Sequence, residues 1–132
     1  MVQIEGTYEP VSEENYTEYL KAFNVPDELI SKILKSKTPV VISDVTDTSI
    51  TIAIKDKGTT FTFGEEKAYS LPTEHKVKST LKRDGNIITF HTSLQDNEAV
   101  FEDKVYEFTD DGLVSTGTNY KGVKGVFKYK RL

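Results

Sequence analysis

The chain has 132 residues, with 17 basic and 21 acidic side chains and a formal net charge of −4. This length suits a single domain over 1–132, and the acidic balance disfavours a nucleic-acid partner, because phosphate contact needs a basic face. The sequence has no cysteine, which excludes disulfides and thiolate metal sites. It lacks a signal-peptide pattern and any run of about 18 apolar residues, so we expect a cytoplasmic protein.

The first forty residues predict one strand and two short helices. The strand covers roughly 3–10, and Ser12 is a candidate N-cap for the first helix. Four apolar side chains follow at i, i+3, i+4 and i+7, which is the spacing of one helix face: Tyr16, Tyr19, Leu20 and Phe23. Pro26 begins a second segment with acidic residues first and lysines last, as the helix dipole favours. The helices are predicted over about 14–23 and 27–36.

After Pro39 the apolar residues recur with a period of two, which is typical of strands. Turn residues separate the predicted strands, which cover about 40–43, 49–55, 59–63, 67–71, 77–83, 87–93, 99–108, 113–119 and 123–131. A meander of ten strands has to close to hide its edges, and the resulting barrel is too wide for its side chains to fill. The sequence therefore predicts an all-β protein. It would be a ten-stranded antiparallel up-and-down barrel with an internal cavity, capped by a helix-turn-helix lid.

Several short motifs occur in the order and at the spacing of a known family. They are Gly6-Thr7-Tyr8, the segment 14–25, Phe61-Thr62-Phe63-Gly64-Glu65-Glu66, Val77-Lys78-Ser79 and Tyr129-Lys130-Arg131-Leu132. Together they resemble the intracellular lipid-binding proteins, a family of fatty-acid-binding and cellular retinoid-binding proteins with a calycin fold. The resemblance covers the whole chain. It implies a monomer that binds and transports a fatty acid, a retinoid or a similar hydrophobic molecule in a barrel cavity.

Two positions depart from the pattern of that family. Its members commonly hold a carboxylate with an arginine and a tyrosine on the last strand and a second arginine two strands earlier. Tyr129 matches the tyrosine, but Phe127 and Tyr106 occupy the arginine positions. The cavity is therefore predicted to hold neutral or weakly polar ligands better than the family norm. Lys104 could replace the missing cations, because it shares a strand face with Tyr106; alternatively, a bulge leaves it exposed.

These considerations give a set of candidate site residues. The predicted ligand-binding residues are Tyr129, Phe127, Tyr106, Lys104, Tyr16, Leu20, Val25 and Ile33. The lid residues Tyr16, Leu20, Val25, Ile30 and Ile33 are predicted to pack over the barrel mouth. Lys32 and Lys35 on the second helix are predicted to make transient contact with anionic membranes during ligand transfer. A solvated helix face is the alternative interpretation of these two lysines.

Other functions stay open on the sequence alone. One is an enzyme acting on a small hydrophobic substrate, although no nucleophile elbow or phosphate-binding glycine loop is present. A second is a ligand-free storage or interaction protein, and a third is a secreted lipocalin, disfavoured by the missing disulfides. His75 and His91 have no neighbours at zinc-ligand spacing, and the acidic residues from Glu98 to Asp111, including Glu102, are interpreted as a solvated face. We predict no catalytic residue, metal or cofactor.

Overall fold

A computed structural model describes residues 4–35, 38–54, 57–70 and 76–132. The strands are β1 (Gly6–Glu14), β2 (Val40–Ser43), β3 (Ser49–Ile54), β4 (Lys57–Thr62), β5 (Glu66–Ser70), β6 (Lys76–Asp84), β7 (Ile87–Leu94), β8 (Phe101–Phe108), β9 (Gly112–Asn119) and β10 (Lys124–Arg131). The helices are α1 (Tyr16–Lys21) and α2 (Asp27–Lys35), both between β1 and β2. The predicted element ends at residues 3, 36, 55 and 71 lie outside the described residues.

All ten strands belong to one antiparallel sheet, in the order β4-β3-β2-β1-β10-β9-β8-β7-β6-β5. The sheet curls into a barrel because the first and last strands of the chain pair with each other, with Tyr8 opposite Arg131. Within the described ranges β4 and β5 share no strand ladder, so the barrel is nearly closed. Side chains approach across that gap: the rings of Phe61 and Tyr69 meet edge to face, with centroids 5.2 Å apart. This architecture confirms the fold predicted from the sequence.

The apolar core fills the end of the barrel away from the helices. Its fully buried side chains come from alternate positions on strands β1, β2, β3, β6, β7, β8 and β9: Tyr8, Ile42, Ile50, Leu81, Ile88, Phe108 and Leu113. The register places Phe108 opposite Leu113, next to the turn between β8 and β9. The opposite ends of these strands lead toward the helices, and there the inward side chains leave room. Burying an aliphatic or aromatic side chain of this size contributes about 1.5–3 kcal/mol, so this end stabilises the barrel.

The first helix begins later than the sequence suggests. Ser12 is not its N-cap, because β1 continues to Glu14 and pairs with β10 beyond an irregularity at Pro10. Asn15 then adopts the left-handed conformation (φ 57°), and the Glu13 carboxylate accepts a hydrogen bond of 2.9 Å from the amide of Tyr16. The long-range ladder with β10 thus overrides the local capping signal. Neither helix of the described residues has the length and apolar character needed to cross a bilayer.

Candidate functional site

A cavity of about 340 Å³ lies between the barrel wall and the two helices. Most of its lining is apolar or aromatic. The helices and the segment between them contribute Tyr16, Leu20, Phe23, Val25, Leu29 and Ile33; the barrel contributes residues such as Ile52, Ile54, Phe61, Phe90 and Tyr106. Three of the four apolar residues predicted for the first helix face, Tyr16, Leu20 and Phe23, therefore border the cavity. Ile30 is also buried, at 3% exposure, but it is not part of the cavity lining.

Two residues of the last strand, Phe127 and Tyr129, were predicted to bind the ligand, and they lie beside the residues that line this cavity. Alternation along β10 is as expected, with Gly125 and Phe127 buried and Lys124 and Lys128 exposed. Phe127, however, packs against the ring of Tyr16, with centroids 5.0 Å apart and the rings nearly perpendicular. Tyr129 packs against Phe127 in turn, at 5.3 Å. A role for Phe127 and Tyr129 in ligand binding stays a prediction.

Lys104 turns into the cavity. The ladders of β8 with β7 and β9 run without a bulge, so Glu102, Lys104 and Tyr106 follow one another on the inner face. The Lys104 Nζ lies 3.1 Å from Glu102 Oε1, and the two side chains are 24% and 20% exposed. Of the two orientations considered for Lys104, the structure has the inward one and not the bulged, exposed one. Glu102 was not predicted as a cavity residue, because its place in an acidic segment suggested a solvated face.

The lid helix takes part in this polar cluster. The Tyr19 hydroxyl donates a hydrogen bond of 2.8 Å to Glu102 Oε2, so the two carboxylate oxygens have different partners. Tyr16 borders the cavity together with Lys104, and the charge of the ammonium acts on the pKa of the Tyr16 hydroxyl. We call Tyr16, Tyr19, Glu102 and Lys104 the polar cluster; it contains one cation, one carboxylate and two hydroxyls. Its net charge is zero when Lys104 is protonated and Glu102 is ionised.

Burial and charge both fix the protonation states in this cluster. Burial alone would lower the pKa of Lys104, but the adjacent Glu102 carboxylate raises it, and the net pKa lies well above its ordinary value. Burial has the opposite effect on the Tyr16 and Tyr19 hydroxyls, whose pKa it raises, and the charge of Lys104 partly offsets that increase. At neutral pH Lys104 is therefore a cation and the tyrosines are neutral groups that can donate or accept hydrogen bonds.

A second group of polar side chains lies on another part of the wall. The hydroxyls of Tyr69 and Ser79 are 2.8 Å apart, and those of Ser79 and Thr92 are 2.7 Å apart. Tyr69 and Thr92 border the cavity. Because these hydroxyls bond one another across β5, β6 and β7, they satisfy the polar atoms of a half-buried wall without any charge.

Two glycines provide the surface on which α1 lies. Gly117 and Gly125 are opposite each other on β9 and β10. A Cβ atom at Gly117 would lie 2.7 Å from the Tyr19 hydroxyl oxygen, and one at Gly125 would lie 2.9 Å from Tyr19 Cβ. The ring of Tyr19, with 0% exposure, is therefore buried directly against strand backbone. Only residues without a side chain leave this space.

Hydrogen bonds hold the helix on that surface. The buried Asn119 side chain donates a bond of 3.0 Å to the Tyr19 carbonyl, and its oxygen accepts bonds from the amides of Lys121 and Val123. The Asn15 side chain donates to the Lys124 carbonyl at 2.9 Å. The Tyr120 hydroxyl donates to the carbonyl of Ala22 at the end of the helix. These bonds tie both ends of α1 to the turn between β9 and β10.

The remaining polar candidates lie on the surface. Lys32 and Lys35 are exposed on α2, on a different side from the cavity-facing Leu29 and Ile33. His91 pairs with Asp103 at 2.6 Å, and both side chains are more than half exposed; His75 lies outside the described residues. Across the described ranges, no group of three or more His, Asp or Glu side chains is arranged to hold a metal ion.

Comparisons with known proteins agree with this architecture. The chain is 32% identical over 137 residues to fatty acid-binding protein 1, liver, of Ambystoma mexicanum, which covers 96% of this chain and 94% of that protein. It is 35% identical over 100 residues to the liver-type fatty acid-binding protein of Takifugu rubripes, covering 74% and 78%. The structure of the fluorescent protein UnaG matches with a TM-score of 0.83 and 26% identity, over 98% of this chain and 97% of that one. No family model matches the chain.

Proposed function

Because this chain belongs to the fatty-acid-binding protein family, we propose that it binds a long-chain fatty acid or another hydrophobic small molecule in its barrel cavity and transports it. In this proposal the protein acts as a single-domain monomer in the cytoplasm. Its transfer step includes a transient contact between Lys32 and Lys35 on α2 and an anionic membrane surface. Neither nucleic acid nor a cofactor has a part in it.

The observation that carries the proposal is the cavity itself. Its volume of about 340 Å³ falls within the range of ligand pockets, roughly 300–1,000 Å³. A mostly apolar wall with a small number of convergent polar side chains is the usual lining of such a pocket. A filled core, which a ligand-free storage protein would have, is disfavoured by this empty volume. An enzyme is disfavoured because the relatives that share the chain's full length are named for binding.

Filling the cavity tests the proposal. Thr59 of β4 borders the cavity, and its neighbour Thr60 is exposed. We expect Thr59→Trp to lower the affinity for oleic acid at least about tenfold, because the indole occupies space that the chain of the lipid needs. Thr60→Trp makes the same change of residue on the outer face and should leave binding unchanged. Competition against an environment-sensitive fluorophore measures both, and equal binding by the two variants would contradict an internal site.

A further inference from the structure

The two largely buried charged residues of the cavity wall, Lys104 and Glu102, form a neutral pair, and this pairing affects which head group a ligand can place beside them. Among the described residues of the wall there are two lysines, and Lys57 is exposed at the beginning of β4. Lys104 is about three-quarters buried and already has a carboxylate partner, Glu102, at 3.1 Å. The cavity thus does not present an unopposed buried cation to its contents.

A free carboxylate would meet an unfavourable charge balance at this place. It would bring a second negative charge beside Glu102, with only Lys104 to compensate for both in a region shielded from water. A buried charge without its own partner is costly, and two carboxylates sharing one site repel each other. The positive charge of Lys104 is therefore largely neutralised by Glu102 before a ligand binds.

An uncharged head group that both donates and accepts hydrogen bonds meets no such penalty. Its oxygen can accept from the Lys104 ammonium or the Tyr16 hydroxyl, which lie together at the cavity wall. Its N–H or O–H can donate to Glu102, since an ionised carboxylate has about four lone-pair sites and two interactions use only part of them. The polar cluster is complementary to that pattern of one donor and one acceptor.

We propose, resting on the proposed function, that the preferred ligands are uncharged lipids with a donor–acceptor head group, such as a primary amide or an alcohol. In this proposal Glu102 is the residue that sets the preference against free carboxylates. The sequence predicted the same class of ligand because the family's arginines are absent. The inward Lys104 removes that reason, since it provides a cation. The negative charge of Glu102 is the new reason for a preference against carboxylates.

The experiment compares oleic acid with oleamide, which have the same chain and differ in the head group. Each lipid displaces the uncharged fluorophore N-phenylnaphthylamine at neutral pH, so the probe itself favours neither charge. We expect wild-type protein to bind oleamide about tenfold more tightly, because the amide N–H donates a charge-assisted hydrogen bond to Glu102 whereas the carboxylate of the acid is repelled by it. Glu102→Gln should shift the ratio of the two affinities toward the acid by about tenfold or more, because it frees Lys104.

Glu107→Gln is the matched control, since Glu107 lies on the same strand and its side chain is exposed; it should leave the ratio unchanged. A wild-type protein that binds the acid more tightly overturns the inference while lipid binding stands, and this arm requires no variant to fold. An unchanged ratio in folded Glu102→Gln also overturns it. Failure of both lipids to displace the probe from wild-type protein instead contradicts the proposed function.

Discussion

The two helices of the cap are similar in sequence character and different in attachment. Both are short and amphipathic, and both border the cavity with apolar side chains. Helix α1 is bound to the barrel through Asn119, Asn15, Tyr120 and the buried Tyr19. Helix α2 contributes apolar contacts, with Ile30 buried and Leu29 and Ile33 on the cavity wall. Hydrophobic periodicity shows which face a helix buries, whereas directional hydrogen bonds and close backbone approach determine how firmly it is held.

This contrast predicts that the two helices of the cap differ in how readily they detach from the barrel. Local opening is easiest where few buried contacts and few tertiary hydrogen bonds hold an element in place. We infer that α2 opens while α1 remains on the barrel. Substitutions at Gly125 and Ile33 address this inference, and a paired change at Lys32 and Lys35 tests the membrane contact of α2; they are ordered here by the loss of unfolding free energy that we expect.

The largest loss is expected on the α1 side. Gly125→Ala would place a methyl group 2.9 Å from Tyr19 Cβ and 3.1 Å from a ring carbon of Tyr16. Overpacking of this kind costs about 1–3 kcal/mol, so urea unfolding should show a loss of about 2 kcal/mol. Gly58→Ala is the control, because its new methyl would meet only Ala53 at an ordinary 3.6 Å. Equal stabilities for the two variants would show that α1 is not held closely against the strands.

A smaller loss is expected on the α2 side. Ile33 is only half-buried, so Ile33→Ala should reduce the free energy of unfolding by about 1 kcal/mol, below the 2–5 kcal/mol typical of a fully buried isoleucine. The same change at Ile88, which is fully buried in the core, should fall in that higher range. Ile33→Ala should also release a bound fluorescent lipid several times faster in stopped-flow measurements. An unchanged release rate would argue against α2 as the moving part.

The smallest effect on stability is expected from the exposed lysines of α2. Replacing Lys32 and Lys35 together by glutamate should leave unfolding and equilibrium lipid affinity near wild-type values. Transfer of a fluorescent lipid to anionic vesicles should become at least about tenfold slower, since the two lysines near such a surface together contribute about 2 kcal/mol. Lys124 and Lys128, exposed on β10, provide a control with the same change of charge. Equal slowing by both pairs would indicate a general charge effect and not a specific contact of α2.

Much of this fold could be predicted from the sequence, because alternation and turn residues are local signals. The strand from Ser49 to Ile54 is an example, with Ile50 and Ile52 buried as its alternation predicts. The start of α1 could not be placed in the same way. The sequence of residues 12–14 is typical of the beginning of a helix. In the structure these residues pair with β10, more than a hundred residues away in the chain, and so they extend β1.

The candidate site was predictable only in part, for related reasons. Tyr16, Leu20 and Ile33 were predicted to border the cavity because each helix in this position has only one apolar face, and Val25 lies in the segment between the helices. Glu102 could have been found from its spacing of two residues from Lys104, which puts both on one strand face. The glycine pair against which Tyr19 packs could not be found from spacing alone. Gly117 and Gly125 lie opposite each other only because of the register of two strands joined by a turn.

The pairing of β1 with β10 also has a consequence for chain connectivity. Every described ladder except this one joins strands that are consecutive in the chain. If the chain ends were linked and new ends were opened between β4 and β5, spatial order and sequence order would coincide. Such a circular permutant would form every ladder from neighbouring strands, and its lower contact order would favour faster folding. In the native connectivity, closing the barrel requires β1 to pair with β10, the two strands that are farthest apart in the sequence.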